Sequence, residues 1–489
     1  MLRLIPADII IHQISPHLSN LEKLYVVSTD TETRRICRDQ LWFENSHTIK
    51  DDIQSTRWYY HALRNIYLYI VPDIFPSGVK KITFSHRFNR SLMASTEPSN
   101  KYTETLRVLE SELHSCTELQ GEIARIKEYI QKHNIRTTKR LLPDGITHLT
   151  FGTDFDQDIT DSLPETITHL TFGGEFNRNI SSALPNGITH LTFGRDFNQS
   201  IDGKIPPSVT HLKFGHYFNK RITQTLPLGI THLTFRGEYT HDIDGIIPTS
   251  VTHLVLSDRF DRSITRNGSP CLPNGIIHLT FGNFFNQDIH GAIPLTVTHL
   301  IFGSNFNQVI GTNDAFYLPS GLIWLELGEC FQQSIKHIPC SITHLVLKRT
   351  YDKTIYGEIP FGIKHLTISS IVSIIPSSVT HLTITDQGNK QIQGLICHGV
   401  THLTFGTFDQ PIGSLIPFVP DSADIIRSDI RSRLWIMEKY LPESLVDLQI
   451  NTLYTHSLIG TIPNSVKTLL IGGEKKDPNN FVHPVDKLE

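Results

Sequence analysis

One short phrase, I/V-T-H-L-T-F-G, recurs along most of the sequence and places twelve histidines at the same position. The first six are spaced by 21 residues and the next six follow at 25, 21, 45, 21, 16 and 21, with Trp324 in the vacant place within the 45. A period of this length is typical of a solenoid, whose units bury their apolar faces only against their neighbours. Such a chain is predicted to bind other molecules rather than to transform them. The twelve are His148, His169, His190, His211, His232, His253, His278, His299, His344, His365, His381 and His402.

Each repeat predicts a turn followed by a short strand. In one copy a Pro-Asn-Gly turn precedes residues 188–193, which are rich in β-branched and aromatic side chains. Because strand side chains alternate, Leu191 and Phe193 are expected inside, and His190 and Thr192 outside. A Phe-Asn-x-x-Ile phrase follows. Its aromatic residue predicts another interior column, and its Asn or Asp is expected to bond backbone groups where the chain turns.

Counting strand phrases predicts a parallel sheet of about 16 short strands with a period of about 21 residues, or about 75 Å of stacked strands. The copies centre on Lys81, the twelve histidines, Trp324, Asp447 and Thr468. The predicted organisation is a small all-α domain at 1–50, a helical linker at 51–75, a solenoid at 76–472 and a tail at 473–489. Two helical inserts are expected at about 93–139 and 421–440. Both inserts are expected to pack on the solenoid. The alternative is a dimerising coiled coil, which is less favoured because the heptads of a coiled coil usually run longer than these.

Composition narrows the range of partners and compartments. A net charge of −4 gives no reason to expect nucleic acid or an anionic membrane as a partner. The six cysteines form no C-x-x-C pair, so neither a disulfide ladder nor a zinc site is predicted. Pro6, Asp8 and His12 interrupt what would be the apolar part of a signal peptide, and no apolar run is long enough for a membrane span. The protein is expected in the cytoplasm, with the nucleus as an alternative.

The first fifty residues lack the repeat and predict compact helices. Leu-x-Pro, an Ile-rich first helix, a leucine-rich second helix and a terminal Leu41-Trp42 resemble an F-box, with Ile5-Pro6 aligned to its Leu-Pro start. The repeats resemble FNIP repeats, named for the Phe-Asn-x-x-Ile phrase, in a leucine-rich-repeat-like solenoid. Together these features resemble the F-box and FNIP repeat-containing proteins of amoebae and giant amoeba-infecting viruses.

This resemblance implies a substrate-recognition subunit of an SCF-type ubiquitin ligase, with a Skp-type adaptor and a cullin of the host as partners. The adaptor would contact Ile5, Pro6, Ile9, Ile10, Ile14, Leu18, Leu24 and Val27. The alternative is that these residues form the core of a helical cap. The chain would then be a non-enzymatic scaffold or a virion-associated interaction protein.

Target recognition is predicted at the variable positions between the Gly and Phe of each repeat, since a column of identical residues carries little information. The candidates are Asp154, Glu175, Arg195, His216, Tyr217, Phe284 and Asn305. The recurring histidines are interpreted mainly as a structural stripe, with recognition and pH sensitivity as alternatives. Metal binding is disfavoured because a straight row of imidazoles gives poor tetrahedral geometry.

Catalysis is not expected. The sequence has no G-x-x-x-x-G-K-[ST], G-x-G-x-x-G, H-E-x-x-H or G-x-S-x-G motif. Its His, Asp and Thr residues recur in many units, whereas a catalytic constellation should be unique, and no separate carboxylate pair indicates action on a polysaccharide. No cofactor or metal is predicted.

Overall fold

The computed structural model describes part of the 489-residue chain and divides it into two compact units, residues 1–230 (unit 1) and 231–489 (unit 2). The described residues are 47–49, 65–68, 79–84, 86–89, 92, 142–181, 184–348, 359–369, 375–388, 392–417, 435–452 and 454–481.

Among its described residues, unit 1 contains seven short strands that pair in parallel, each hydrogen-bonded to the next in chain order. The register is that of the repeat, so that His169 lies opposite His148 on one side and His190 on the other. The strands are β1 (His47–Ile49), β2 (Asn65–Leu68), β3 (Lys81–Phe84), β4 (His148–Thr150), β5 (His169–Thr171), β6 (His190–Thr192) and β7 (His211–Lys213).

The described residues of unit 2 show the same pattern with eleven parallel strands, and an antiparallel strand pairs with the last of them. The parallel strands are β8 (His232–Thr234), β9 (His253–Val255), β12 (His278–Thr280), β13 (His299–Ile301), β14 (Trp324–Leu327), β15 (His344–Leu347), β16 (His365–Ile368), β17 (His381–Gly388), β18 (His402–Phe408), β21 (Asp447–Ile450) and β22 (Thr468–Ile471).

Two hairpins leave the repeat pattern of unit 2. β10 (Thr265–Arg266) and β11 (Ser269–Pro270) enclose an Asn-Gly turn in which both residues have positive φ. β19 (Gly413–Pro417) pairs with β20 (Trp435–Lys439) in the second insert. The closing strand is β23 (Glu474–Lys476), and a 3-10 helix follows at Pro478–Phe481. The side chains of β23 are exposed and charged, which discourages further strands from adding to this edge.

The structure confirms the predicted solenoid of short parallel strands, and all sixteen predicted copies are strands. The helical predictions are wrong at three places. Residues 65–68 of the predicted helical linker are β2, and 47–49 of the predicted all-α domain are β1, because each pairs in parallel with the next strand. Residues 435–439 of the second predicted helix are β20, because their backbone pairs with β19. The first insert, 93–139, lies outside the described residues.

Two columns of aromatic rings form much of the core of unit 1. Within a repeat the strand phenylalanine stacks on the Phe-Asn phenylalanine, as Phe193 does on Phe197 at 3.9 Å between ring centroids. Each ring also stacks on its counterpart in the next repeat, at 5.7 Å for Phe172 and Phe193 and 6.1 Å for Phe176 and Phe197. These rings are almost fully buried. Burial of each stabilises the fold by roughly 1.5–3 kcal/mol, which explains why one small repeat needs its neighbours.

The asparagine beside each buried ring bonds to the next repeat, as its position predicted. Asn177 accepts a hydrogen bond from the backbone N–H of Asn198, and Asn198 accepts one from Asn219, at 2.9 and 3.0 Å. Asp156 does the same for Asn177 at 3.0 Å. In unit 2 Asp261, Asn286 and Asn307 form an equivalent series. The side-chain oxygen therefore satisfies a backbone donor that no strand pairing reaches.

The glycine after the strand lets successive turns approach closely. A Cβ atom at Gly194 would lie 1.5 Å from the carbonyl oxygen of Gly173, and one at Gly173 would lie 1.6 Å from that of Gly152. No side chain can occupy such a position without displacing the neighbouring repeat. Gly321, by contrast, has no atom within 4 Å of an added Cβ.

Replacing Gly194 with alanine should therefore destabilise the protein by about 3 kcal/mol, since the new methyl group must push two repeats apart. The matched change Gly321→Ala should alter stability by less than about 1 kcal/mol. Urea denaturation followed by circular dichroism would measure both. Equal denaturation midpoints for the two variants would contradict the close stacking at Gly194.

Candidate interaction surfaces

The outward face of the strands in unit 1 carries a column of stacked imidazoles, which we call the unit 1 ladder (His148, His169, His190 and His211). Adjacent rings lie 4.1 Å apart and within about 12° of parallel. The intervening leucines point into the core, as the alternation of the strand predicted. The predicted stripe is thus a continuous row of half-buried rings.

A threonine fixes each ring of this ladder. The Oγ1 atom of Thr168 lies 2.9 Å from Nδ1 of His169, and the equivalent distance from Thr189 to His190 is also 2.9 Å. The same hydroxyl of Thr168 lies 3.2 Å from the carbonyl oxygen of Thr147 in the preceding repeat. Since Nδ1 is occupied in this way, Nε2 is the ring nitrogen left for an outside partner.

Unit 2 carries a second column, the unit 2 ladder (His232, His253, His278, His299, His344, His365, His381 and His402). Its adjacent histidine rings stack at 4.0–4.3 Å. Trp324 interrupts it and stacks on His299 and His344 at 6.4 and 5.1 Å. At its end, Nε2 of His402 lies 2.7 Å from a carboxylate oxygen of Asp447. The column therefore accepts a larger ring and ends in a contact between an imidazole and a carboxylate.

Several ladder histidines are harder to protonate than a free imidazole. Partial burial lowers the pKa of His169, and the neighbouring His148, His190 and His211 lower it further. Burial and then Lys81 lower the pKa of His148. In unit 2 the same two causes, burial first and neighbouring imidazoles second, lower the pKa of His253, His299, His344, His365 and His381.

These pKa shifts predict that acid destabilises the fold. Because the folded pKa lies below the unfolded value of about 6.5, the unfolded chain binds more protons as pH falls through that value. The contribution of the neutral imidazoles to the stability of the fold is fully present above about pH 6.5 and is lost as pH falls through the folded pKa values. The melting temperature should therefore be lower at pH 5.5 than at pH 7.5, as measured by differential scanning fluorimetry.

A His169→Phe variant keeps a stacking ring but removes one titrating group, so its melting temperature should change less between the two pH values. Trp324 shows that the column tolerates an aromatic ring without an imidazole. An identical pH dependence in the variant and the original protein would contradict the assignment to the ladder.

The predicted target-binding residues lie on a separate edge, which we call the rim and define as the two residues between Gly and Phe of each repeat. A backbone hydrogen bond joins successive rim segments, from Glu175 to Thr153 at 2.7 Å and from Tyr217 to Arg195 at 2.8 Å. The structure therefore brings five of the seven predicted residues together on the rim of unit 1. They are Asp154, Glu175, Arg195, His216 and Tyr217, and all but the partly buried Asp154 are exposed.

The rim of unit 2 holds the other two predicted residues, Phe284 and Asn305, on adjacent repeats. Phe284 is 52% exposed, which is unusual for so large an apolar side chain. The guanidinium of Arg259 lies 5.9 Å from its ring centroid and forms an ion pair with Glu238 at 3.1 Å. The sequence reasoning missed Arg259, although it occupies the same variable position in the preceding repeat.

The eight predicted adaptor-contacting residues, from Ile5 to Val27, lie outside the described residues. Within the described part of the chain, no group of three or more His, Cys, Asp or Glu side chains is arranged to hold a metal ion. Over the same residues, no helix combines the length and the apolar character that a membrane span requires.

Short parallel strands stacked in register, with recurring Leu and Phe columns inside, define a repeat solenoid of the leucine-rich-repeat type. The FNIP repeat family model matches residues 133–175, 176–217, 197–237, 241–284 and 285–330. The chain therefore contains FNIP repeats, as the Phe-Asn-x-x-Ile phrase indicated. Solenoids of this type typically bind proteins and are typically non-catalytic.

Among solved structures, the chain is similar to CroV588, described as a novel circular LRR protein, with 28% sequence identity and a TM-score of 0.56. The alignment covers 84% of this chain and 60% of CroV588, so the chain spans less than two thirds of that protein's length. YopM from Yersinia enterocolitica is matched at 13% identity and a TM-score of 0.32, over 76% of this chain and 99% of YopM. A comparison with curated proteins finds no match.

Proposed function

We propose that this chain is the substrate-recognition subunit of an SCF-type ubiquitin ligase. In this proposal the amino-terminal region binds a Skp-type adaptor, which links the chain to a cullin, and the solenoid captures a target protein. The chain contributes no catalytic group. It increases transfer by holding the target close to the transfer enzyme, which raises the effective concentration of the reacting groups.

The division of the repeat into invariant and variable positions is the observation that carries the target-binding part. Leucine, phenylalanine and asparagine columns hold the solenoid together, while the rim residues differ from one repeat to the next and most are exposed. A rigid scaffold that presents varied side chains is suited to recognising a specific protein surface. Tyr217 and Phe284 add exposed aromatic side chains, a type that contributes strongly to protein interfaces.

The adaptor-binding part rests on the amino-terminal sequence. Its Ile5-Pro6 start, its Ile-rich first segment and its leucine-rich second segment resemble an F-box. If this resemblance is functional, the apolar residues of the first segment contact the adaptor directly. A charge introduced there would be buried without a partner in the complex and would abolish binding.

The test is a binding assay with the full-length chain and a purified Skp-type adaptor. An Ile9→Glu/Ile10→Glu variant should lose the adaptor, whereas the original protein should retain it. The matched variant Ser28→Glu/Thr31→Glu adds the same charge at positions outside the predicted contact set and should still bind. Circular dichroism should show the same strand content in all three proteins.

Two results would contradict the ligase assignment. One is failure of the original protein to retain the adaptor, and the other is equal adaptor binding by the two variants. Either outcome would favour the alternative of a non-enzymatic scaffold whose amino-terminal residues only cap the solenoid. Neither outcome would affect the rim as a target-binding surface, because the rim belongs to a different part of the chain.

A further inference from the structure

The outward strand face of unit 1 has an uneven charge. The ten outward positions of β3–β7 hold two lysines, four histidines and four threonines, and no carboxylate occurs at these positions in the five described strands. Lys81 begins the column, because it lies in register with His148. Lys213 lies on β7, two residues after His211. We call this surface the basic face. It is defined by Lys81, His148, His169, His190, His211 and Lys213.

The basic face is also preorganised. Each ladder ring stacks on the next at 4.1 Å and lies against its own threonine hydroxyl, so the imidazoles have little rotational freedom left to lose. Ligand binding to such groups costs less conformational entropy than binding to mobile surface side chains. Their Nε2 atoms form a row along the stack, in line with the permanent charge of Lys81.

The corresponding face of unit 2 differs in sign. Asp447 stands at the ladder position beside His402, and Glu326 occupies an outward position on β14 and forms an ion pair with Lys348. Trp324 lies on the same strand as Glu326 and interrupts the histidine column between His299 and His344. The same repeat thus produces a face without carboxylates over the described strands β3–β7 and a mixed face in the described strands of unit 2.

We propose that the basic face docks an acidic segment of a partner protein, one rich in aspartate and glutamate. This proposal rests on the protein-binding role proposed above and assigns a chemical class to one partner. The lysines supply charge at neutral pH. Because the hydroxyl of Thr168 donates to the carbonyl oxygen of Thr147, the neutral ring of His169 carries its proton on Nδ1, and its Nε2 becomes a donor to a carboxylate when the ring is protonated. The chain itself has a net charge of −4, so attraction of an acidic ligand depends on a local basic surface such as this one.

The charged groups around the basic face limit its attraction at neutral pH. Lys80 lies beside β3 and donates a hydrogen bond to the carbonyl oxygen of Gly145 at 3.1 Å. The turns before the strands carry Asp144 and Glu165, and the rim after them carries Asp154, Glu175, Arg195 and Asp196, of which the last two form an ion pair. Because burial lowers the pKa of His148 and His169, these two imidazoles gain charge only on acidification, and a bound carboxylate favours that protonation. Affinity for an acidic segment should therefore rise as pH falls.

The test uses a fluorescently labelled poly-glutamate peptide and the full-length protein, with affinity measured by fluorescence anisotropy at low salt. A Lys81→Asp/Lys213→Thr variant should bind the peptide roughly tenfold more weakly at pH 7.5. Both changes have precedents in the chain, since Asp447 occupies the ladder position and Thr150, Thr171 and Thr192 occupy the place of Lys213.

The matched control, Lys220→Asp/Lys475→Thr, makes the same charge change at exposed lysines away from the basic face and should lower affinity by less than about twofold. The affinity of the original protein should also be higher at pH 6.0 than at pH 7.5, where poly-glutamate remains ionised. Equal losses in the two variants, no peptide binding at low salt, or affinity that does not increase at pH 6.0 would each overturn the proposal.

The adaptor assay separates this proposal from the ligase assignment. The Lys81→Asp/Lys213→Thr variant should retain the Skp-type adaptor as well as the original protein does, because the changes lie outside the predicted adaptor contacts. Loss of peptide binding with the adaptor retained supports the basic face. Absence of adaptor binding in every protein would count against the ligase role. The peptide assay would then still support or overturn the basic face by itself.

Discussion

The structure depends on strands that pair in register at the histidine position of successive repeats. The carbonyl oxygen of Thr168 accepts hydrogen bonds from the backbone N–H groups of both Thr189 and His190, at 2.8 and 3.0 Å, and the same pairing joins other repeats within each unit. A slip of one residue would turn Leu191 toward solvent and His190 into the core. Because the register is fixed, residues at one position of the repeat come together as a column.

Each column of residues has its own structural role in the stack. Phenylalanine and leucine columns bury apolar surface, the asparagine column satisfies backbone donors, and the glycine after the strand lets neighbouring turns come close. In unit 1 each histidine of the column is itself held by the threonine that precedes it. Since these columns maintain the stack, the positions free to vary are those of the rim and a few outward strand sites. Function is expected there, and both binding proposals use these positions.

Much of this architecture could be predicted because a period in the sequence directly marks the structural repeat. The recurring strand phrase located sixteen strands, twelve of them marked by a histidine, and the Phe-Asn phrase located the second aromatic column. β2 was missed because its Asn65-Ile66-Tyr67-Leu68 sequence lacks both the histidine and the preceding Pro-x-Gly or Pro-x-Ser turn of the repeat. It nevertheless precedes Lys81 by 16 residues, the spacing that separates His365 from His381. β20 was taken for a helix because a short apolar run fits a helical face as well as a strand.

The interaction surfaces were harder to predict for a geometric reason. Sequence shows that Thr189 and His190 are neighbours, but the contact of the hydroxyl with Nδ1 depends on side-chain conformation. Likewise, Lys81 and Lys213 lie 132 residues apart in the sequence, and they share one face only because β3 and β7 belong to the same stack. Such surfaces depend on the register of the strands. The repeat implies this register, but the linear sequence does not show which distant residues share a face.

The most direct measurement of this register is site-specific cross-linking within unit 1. Thr171 and Thr192 are register partners on adjacent strands, about 4.8 Å apart. Cysteines placed at both positions should be joined rapidly by a short thiol-bridging reagent, with the linked peptides identified by mass spectrometry. Cysteines at Thr150 and Thr192, which lie two strands apart at about 9.6 Å, should not be joined. Equal cross-linking of the two pairs would contradict the in-register stack on which the account rests.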